Sequence, residues 1–200
     1  LHDYPEVLKT SSIEKKVFKE GTQMSNWNWM LPGLVFGYKG VDGLKTGSTD
    51  LGGNSFTATA KRGDVRFISV IMKTSSKEQR FIETKKLLDY GFGNYSSKAL
   101  YPAGYKISSK PELPVNNGKL KKVGVESKSP LVALVKKGEE NAFEPVYKLD
   151  PKLSSGDSLN APLDKDQVVG KLTINYKGSD NYGYLLPGYE ESAPLAVTAQ

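Results

Sequence analysis

The chain has 200 residues, of which 38% are hydrophobic and 25% are charged, a composition typical of folded globular proteins and too apolar for a disordered chain. Its formal net charge is +6, but the basic residues form scattered pairs without interleaved aromatic residues, which argues against nucleic acid as a partner. The absence of cysteine and the single histidine, His2, argue against a protein-built metal site and favour an exported protein.

The first part of the chain contains only short patterns. Helical spacing of apolar residues predicts a helix over residues 1–9, and weak alternation predicts a strand within residues 13–20. Because the chain begins inside this helical pattern, we expect it to be a fragment or a processed protein. An aromatic loop at residues 26–33 is closed by a Pro-Gly turn, and we expect Trp27 and Trp29 to form local core there.

A hairpin followed by a helix is predicted next. Residues 54–61 alternate between apolar and polar side chains, and residues 65–72 are rich in valine and isoleucine. The short turn between them makes the pair an antiparallel hairpin. Two serines then cap a helix over residues 77–90, and Gly91 is expected to end it.

The composition changes after Tyr95, which divides the chain into a first domain over residues 1–95 and a second over residues 96–190. Short apolar runs recur in the second domain with glycine, proline and asparagine between them, which predicts a small β-sandwich. Residues 191–200 are rich in alanine and proline and predict a linker. The predicted strands cover residues 119–125, 131–136, 143–149, 168–176 and 182–186.

A Lys-Thr-Gly triplet at residues 45–47 is the strongest chemical signal in the sequence. By residue usage such a triplet occurs by chance about once in twenty chains of this length, so it is weak alone. Its position before an antiparallel hairpin and a helix is the context in which penicillin-interactive serine enzymes carry this triad, on a strand that borders the active site.

The residues around the triplet resemble the low-molecular-mass penicillin-binding proteins of the serine D-alanyl-D-alanine carboxypeptidase family, in order along nearly the whole chain. This resemblance implies an α+β fold. The first domain would be the C-terminal part of a penicillin-binding transpeptidase/β-lactamase-like domain, an antiparallel sheet with a packed helix, and a small all-β sandwich would follow. The matching segments are residues 3–8, 28–31, 42–50, 55–60, 66–72, 85–92, 161–163 and 167–170.

The resemblance also implies roles for residues of the triad strand. Lys45 would supply a fixed positive charge and assist proton transfer, and the backbone N–H of Ser48 would be one oxyanion-hole donor. Thr46 and Thr49 would offer hydroxyls to the substrate carboxylate. Gly47 would leave room for the substrate backbone, since an extended peptide can add to an exposed strand edge.

By the same resemblance, Arg66 is expected to bind the terminal carboxylate of the substrate, a role that suits its planar, permanently charged guanidinium. The nucleophile of the family is absent. A Ser-x-x-Lys pattern at residues 12–15 matches the letters, but it lies too close before the triad and in a polar break. We therefore expect the nucleophilic serine upstream of Leu1 and expect this chain alone to be inactive.

The resulting hypothesis is a carboxypeptidase that removes the terminal D-Ala from peptidoglycan stem peptides, needs no cofactor and is inhibited by β-lactams. It would act outside the cytoplasm, on the outer face of the membrane, and an anchor beyond Gln200 would hold it there. Two alternatives stay open: a β-lactamase, which the second domain argues against, and a non-catalytic binding or spacer module of the cell envelope built on residues 96–190.

Overall fold

The computed structural model describes residues 1–178, 186 and 188–198. The chain divides into two compact units, residues 1–95 and residues 96–200, which we call unit 1 and unit 2. Each unit is described by itself.

Unit 1 is built on an antiparallel three-stranded sheet in the order β3-β4-β5, preceded by a two-stranded ribbon of β1 and β2. A 3-10 turn at Lys19–Gly21 joins the two strands of the ribbon. The helix expected over residues 1–9 is shorter and begins later. The elements of unit 1 are α1 (Val7–Ser11), β1 (Lys15–Val17), β2 (Gln23–Ser25), β3 (Val41–Thr49), β4 (Gly53–Arg62), β5 (Val65–Thr74) and α2 (Lys77–Asn94).

Helix α2 covers one face of this sheet. The alternation along β4 turns Phe56 and Ala58 toward the helix, where they are buried with Phe81 and Leu88. A side chain of this size contributes about 1.5–3 kcal/mol when it is fully buried, so this layer holds the sheet and the helix together. The Ser76 hydroxyl accepts a hydrogen bond from the backbone of the first helical turn, as the sequence predicted.

The prediction that Gly91 ends α2 is wrong, because the helix continues to Asn94. A Cβ atom at Gly91 would lie 3.1 Å from ring atoms of Phe67 on β5. The glycine therefore allows helix and sheet to approach each other closely, and it does not terminate the helix.

The described residues of unit 2 form strands and one 3-10 turn at Glu140–Ala142, which confirms the predicted change of architecture. Seven strands form a sheet in the order β10-β13-β14-β8-β7-β12-β11, and β6 pairs with β9. The strands of unit 2 are β6 (Tyr95–Tyr101), β7 (Glu112–Asn116), β8 (Lys122–Ser127), β9 (Leu131–Lys136), β10 (Phe143–Leu149), β11 (Ser154–Ser155), β12 (Ser158–Asn160), β13 (Val168–Tyr176) and β14 (Ser192–Val197).

Alternating apolar residues of these strands form the core of unit 2. Val125 on β8, Val169 on β13 and Leu195 on β14 are fully buried in one cluster, and Leu131 and Leu172 belong to a second. Along β8 and β9 the buried positions recur every second residue, so these two strands turn one side inward, whereas β14 is buried on both sides from Leu195 to Val197.

The prediction of a linker over residues 191–200 is wrong. Residues 192–197 form β14, which pairs with β13 on one side and β8 on the other. Ala193 and Leu195 are fully buried, so this alanine- and proline-rich segment contributes core residues to a central strand. The strand predicted over residues 182–186 lies, apart from Leu186, outside the described residues.

No helix in the described part of the chain has the length and apolarity that a crossing of the bilayer requires.

Candidate active-site wall on the edge of β3

The triplet lies on the strand at the edge of the unit 1 sheet. Residues 45–48 of β3 pair with β4 on one side, and no described strand pairs with the other side. Helix α1 contacts the same edge near the start of β3, where the Ser11 hydroxyl donates to the backbone oxygen of Asp42 over 2.8 Å. The edge along the triplet is therefore open to an extended ligand.

Lys45 projects from this strand as an exposed cation. Its Nζ donates to the backbone oxygen of Thr46 over 2.7 Å, and it forms no ion pair with any residue that the structure describes. Directly paired residues share a face of a sheet, so Lys45, Thr57 and Val70 lie on one face across the three strands. Helix α2 packs on the opposite face. On the face of Lys45, α1 approaches only the start of β3 at Gly43, and Val70 is left 58% exposed.

Gly47 has open space on one side, and the guanidinium of Arg80 contacts its carbonyl oxygen. A Cβ atom at this position would meet no atom within 4 Å, so the strand has room for a ligand backbone here. The carbonyl oxygen of Gly47 accepts a hydrogen bond from Nη1 of Arg80 over 3.1 Å. The triplet is thus tied to the first turns of α2.

Arg80 is the residue that the sequence analysis missed. Only 2% of it is exposed, and its Nε is buried without a hydrogen-bond partner among the described residues. Burial lowers the pKa of Arg80, while the nearby charge of Glu78 raises it. An unpaired donor on a buried cation is costly, so a partner that this chain does not supply would stabilise it.

A signal for Arg80 was present in the sequence. Arg80, Thr84 and Leu88 recur every fourth residue and therefore lie on one face of α2, and all three are buried. An arginine in the buried stripe of an amphipathic helix is unusual, since charged residues are rarely buried unless they have a partner.

Ser48 and Thr49 lie at the end of β3. The Ser48 hydroxyl donates to Oδ1 of Asn54 over 2.9 Å, which holds the side chain against β4. The Thr49 hydroxyl accepts a hydrogen bond from the backbone N–H of Gly52 over 2.9 Å, so it closes the turn between β3 and β4. Thr49 is thus engaged within the chain, whereas Thr46 is half-buried beside the triplet lysine.

The role predicted for Arg66 does not match its position. Arg66 lies on β5, and its guanidinium donates to both carboxylate oxygens of Asp42 over 2.8 Å and also bonds the Thr59 hydroxyl. Asp42 precedes Lys45 by three residues, about 10 Å along an extended strand. Arg66 therefore links the start of β3 to β5. The arginine next to the triplet is Arg80.

The Ser-x-x-Lys letters at residues 12–15 do not form a catalytic pair. Ser12 follows the end of α1, and Lys15 begins β1, where it pairs with Ser25. The two residues belong to different elements and not to one turn of a buried helix, as the sequence context had suggested.

An open pocket of about 410 Å³ lies beside the triplet, between α1 and β3. Trp27 forms part of its wall; it is 61% exposed and lies under the Nζ of Lys77, 5.5 Å from the ring centroid. The expectation that Trp27 is core is therefore wrong, while Trp29 stacks on Phe36 and packs against the core of unit 1. The pocket is lined by Val7, Thr10, Ser11, Asn26, Trp27, Leu44, Lys45 and Thr46.

Among the described residues, no group of three or more histidine, aspartate or glutamate side chains is arranged to hold a metal ion.

Two family models match the chain. Residues 1–76 match the model described as D-alanyl-D-alanine carboxypeptidase, and residues 95–198 match the model of the C-terminal domain of penicillin-binding protein 5. The boundary between the two matches falls between the end of the unit 1 sheet and the start of unit 2.

Curated relatives agree with these models. The D-alanyl-D-alanine carboxypeptidase DacA of Haemophilus influenzae is 32% identical over 90% of this chain and 43% of its own length. DacF of Bacillus subtilis, also a D-alanyl-D-alanine carboxypeptidase, is 29% identical over 88% of this chain and 43% of its own length. The chain thus spans less than half the length of these relatives.

Solved structures give the same result. A structure titled as a peptidoglycan synthesis regulatory factor (PBP3) from Streptococcus pneumoniae has a TM-score of 0.73 and 25% identity, covering 98% of this chain and 52% of that one. Penicillin-binding protein 5 from Haemophilus influenzae has a TM-score of 0.60 and 30% identity, with the same coverage. Because the C-terminal-domain model alone matches about half of the residues, the chain belongs to the penicillin-binding protein 5 family of D-alanyl-D-alanine carboxypeptidases.

Proposed function

We propose that the protein is a serine-type D-alanyl-D-alanine carboxypeptidase and that this chain supplies the substrate-binding wall of its active site. The observation that carries the proposal is the open edge of β3 along residues 45–48, with free space over Gly47 and the buried Arg80 behind it.

An extended peptide fits this edge. A strand edge offers backbone donors and acceptors to a ligand that adds itself as a further strand. A stem peptide ending in D-Ala-D-Ala is such a ligand, and its backbone would pass over Gly47, where no side chain obstructs it. In this arrangement the backbone N–H of Ser48 is the oxyanion-hole donor that this chain contributes.

The charges at the edge suit a ligand with a free carboxylate. Lys45 is an exposed cation without an acidic partner among the described residues, and Thr46 lies next to it with a hydroxyl. Arg80 adds a second cation from behind the strand and takes over the role that the sequence analysis gave to Arg66. The Thr49 hydroxyl accepts from Gly52 in the turn and keeps its own O–H available to donate to a carboxylate.

The nucleophile comes from a part of the protein outside this chain, and it lies against the face of the sheet that carries Lys45. On the same face Ile68, Val70 and Met72 of β5 are 53%, 58% and 74% exposed. A row of exposed apolar side chains beside a catalytic lysine is typical of a surface that another segment covers. That segment would place the serine hydroxyl opposite Lys45.

The reaction follows from these roles. The serine oxygen attacks the carbonyl carbon of the penultimate D-Ala, and the tetrahedral oxyanion is held by the Ser48 N–H and a second backbone donor. Collapse breaks the peptide bond, and free D-Ala leaves with the proton that Lys45 helps to transfer. Water then cleaves the acyl-enzyme ester and releases the shortened stem peptide. A β-lactam acylates the same serine.

We also propose where the protein acts. The substrate is peptidoglycan, so the protein acts outside the cytoplasm, on the outer face of the cell membrane, and a segment beyond this chain anchors it there. Unit 2 contributes no residue to the edge of β3 in this account. It serves as a spacer or a binding module, which is the role that its complete core permits.

The experiment that tests the function measures release of D-Ala from an acylated D-Ala-D-Ala peptide by the full-length protein. K45A should lower kcat/KM about 100- to 1,000-fold, the usual loss for a group that stabilises charge in the transition state. K39A, which removes an exposed lysine at the surface of unit 1, is the matched control and should keep full activity. Equal activity of K45A and the parent protein would refute the proposal.

A further inference from the structure

The lysines of unit 2 fall into two groups. Most of them form ion pairs with aspartate or glutamate side chains, which neutralises their charge locally. The paired lysines are Lys98, Lys106, Lys110, Lys128, Lys136, Lys148, Lys171 and Lys177. The lysines without an ion pair among the described residues are Lys119, Lys121, Lys122, Lys137, Lys152 and Lys165.

Sheet topology brings the unpaired lysines to one end of the unit, with Lys137 as the exception. The hairpin at residues 117–122 joins the end of β7 to the start of β8, and it is closed by a hydrogen bond from the Val115 N–H to the Lys121 oxygen. Strand β12 runs parallel to β7 and ends beside it, where the Asn116 amide donates to the side chain of Asn160.

Two further turns lie at the same end. The N–H of Asn160 donates to the oxygen of Leu153, which places the turn that carries Lys152 next to the end of β12. The loop that carries Lys165 is bonded to the end of β14 through the Val197 oxygen, and β14 ends beside the start of β8. We call Lys119, Lys121, Lys122, Lys152 and Lys165 together the basic end of unit 2.

Few carboxylates offset this charge. Asp166 also lies in the Lys165 loop, but it is engaged by Lys128. Asp150 and Asp164 remain without an ion pair among the described residues, so the lysines outnumber the available carboxylates. Lys137 lies in the loop whose Glu139 accepts a hydrogen bond from Tyr176, at the opposite end of β13.

The hairpin also presents an apolar side chain between its lysines. Residues 119–122 are all exposed. Leu120 is 44% exposed, although β7 and β8, the strands on either side of it, both bury apolar side chains. Lysines that flank an apolar residue extend their charged groups while the apolar side chain enters a less polar layer. This arrangement favours the headgroup boundary of a bilayer over a soluble anionic polymer, which gives a leucine no apolar layer to enter.

We propose that the basic end of unit 2 docks on an anionic phospholipid surface, with Leu120 inserted at the headgroup boundary. Each lysine near such a surface strengthens binding about fivefold, and the attraction decays within a Debye length, so the contact is reversible and salt-dependent. The proposal is independent of the chemistry at Lys45.

The test is sedimentation of the 200-residue chain with vesicles of phosphatidylcholine alone or mixed with phosphatidylglycerol. Binding should rise with the fraction of phosphatidylglycerol and fall with salt. K121Q/K122Q should weaken binding about thirty-fold, and L120N should weaken it several-fold at unchanged charge. K39Q/K137Q removes the same charge from two exposed lysines that are not part of the basic end, Lys39 of unit 1 and Lys137 at the opposite end of β13, and should bind like the parent chain.

Three outcomes would overturn the proposal. Equal loss in K121Q/K122Q and K39Q/K137Q would show a net-charge effect without a docking surface. Unchanged binding by L120N, together with equally strong binding to soluble polyphosphate, would identify an anionic polymer as the partner. Equal binding to vesicles with and without phosphatidylglycerol would exclude recognition of lipid charge. Unchanged melting temperatures of all variants would confirm that the comparison is between folded chains.

Discussion

Units 1 and 2 differ in how completely they bury their own surfaces. Unit 2 closes its sheet around two buried clusters, and its central strand β14 is paired on both sides. Unit 1 buries one face of its sheet under α2 and leaves the other face with exposed Val70 and Met72 beside Lys45. The difference indicates that unit 2 has a core of its own, whereas unit 1 leaves apolar side chains exposed on the face where we propose that a further segment packs.

Core substitutions should show this contrast most strongly. Leu172 is fully buried in unit 2, so L172A should lower the free energy of unfolding by about 2–5 kcal/mol. Val70 is 58% exposed, so V70A in the same chain should change it by less than about 0.5 kcal/mol. Urea unfolding followed by circular dichroism measures both. A loss of stability in V70A as large as that in L172A would contradict the uncovered face.

Substitutions of Arg66 and Arg80 in unit 1 should separate function from stability. In the full-length protein R80A should lower kcat/KM about 10- to 100-fold for a substrate with a free terminal carboxylate, and much less for its amide, because a charge-assisted contact is lost. R66A should retain carboxylate preference but unfold more easily by about 1–3 kcal/mol, since it leaves Asp42 without its partner. Turnover of the paired substrates and urea unfolding measure the two effects. Loss of carboxylate preference in R66A but not in R80A would restore the sequence-based assignment.

A smaller effect on stability is expected from the hydrogen bond between Tyr38, in the loop before β3, and Asp89 of α2. The pKa of Asp89 is lowered by hydrogen bonds from Lys85 and Tyr38, and burial together with Asp89 raises the pKa of Tyr38 to about 12. A carboxyl with a lowered folded-state pKa stabilises the fold above its unfolded-state pKa, and this contribution disappears as the pH falls through the folded value. D89N should therefore be less stable than the parent chain at pH 6 and equally stable near pH 2. Melting temperatures over this range measure the difference, and a gap that widens on acidification would contradict the pairing.

Removal of unit 2 should have the smallest effect on chemistry. Because no residue of unit 2 is assigned to the edge of β3, deleting residues 96–200 from the full-length protein should leave turnover of a soluble D-Ala-D-Ala peptide within about twofold. Loss of turnover in a deletion protein that still melts cooperatively would assign unit 2 a part in the active site.

Much of the fold followed from periodicity. The strands at residues 143–149 and 168–176 match β10 and β13, because alternation is regular where one face of a strand is buried. Predictions from local sequence were wrong where contacts between distant residues determine the secondary structure. Gly91 continues a helix because Phe67 packs against it, and residues 192–197 form a central strand because β8 and β13 enclose them.

The site was predictable in part for the same reason. Lys45 and Gly47 could be proposed from the sequence because they belong to one triplet and keep their spacing on any extended strand. We propose Arg80 in place of Arg66 because the choice between them depends on which element packs behind Gly47, and the sequence alone does not show this. Only the packing of α2 against the sheet, set by residues such as Phe81, decides that question.

The central claim is that this chain holds the binding wall of a penicillin-binding active site and that its nucleophile lies elsewhere in the protein. Labelling with a fluorescent penicillin tests it most directly, with the 200-residue chain and the full-length protein in parallel. The account predicts covalent label on the full-length protein, strongly reduced by K45A, and none on the 200-residue chain. Stoichiometric covalent labelling of the 200-residue chain alone would contradict it.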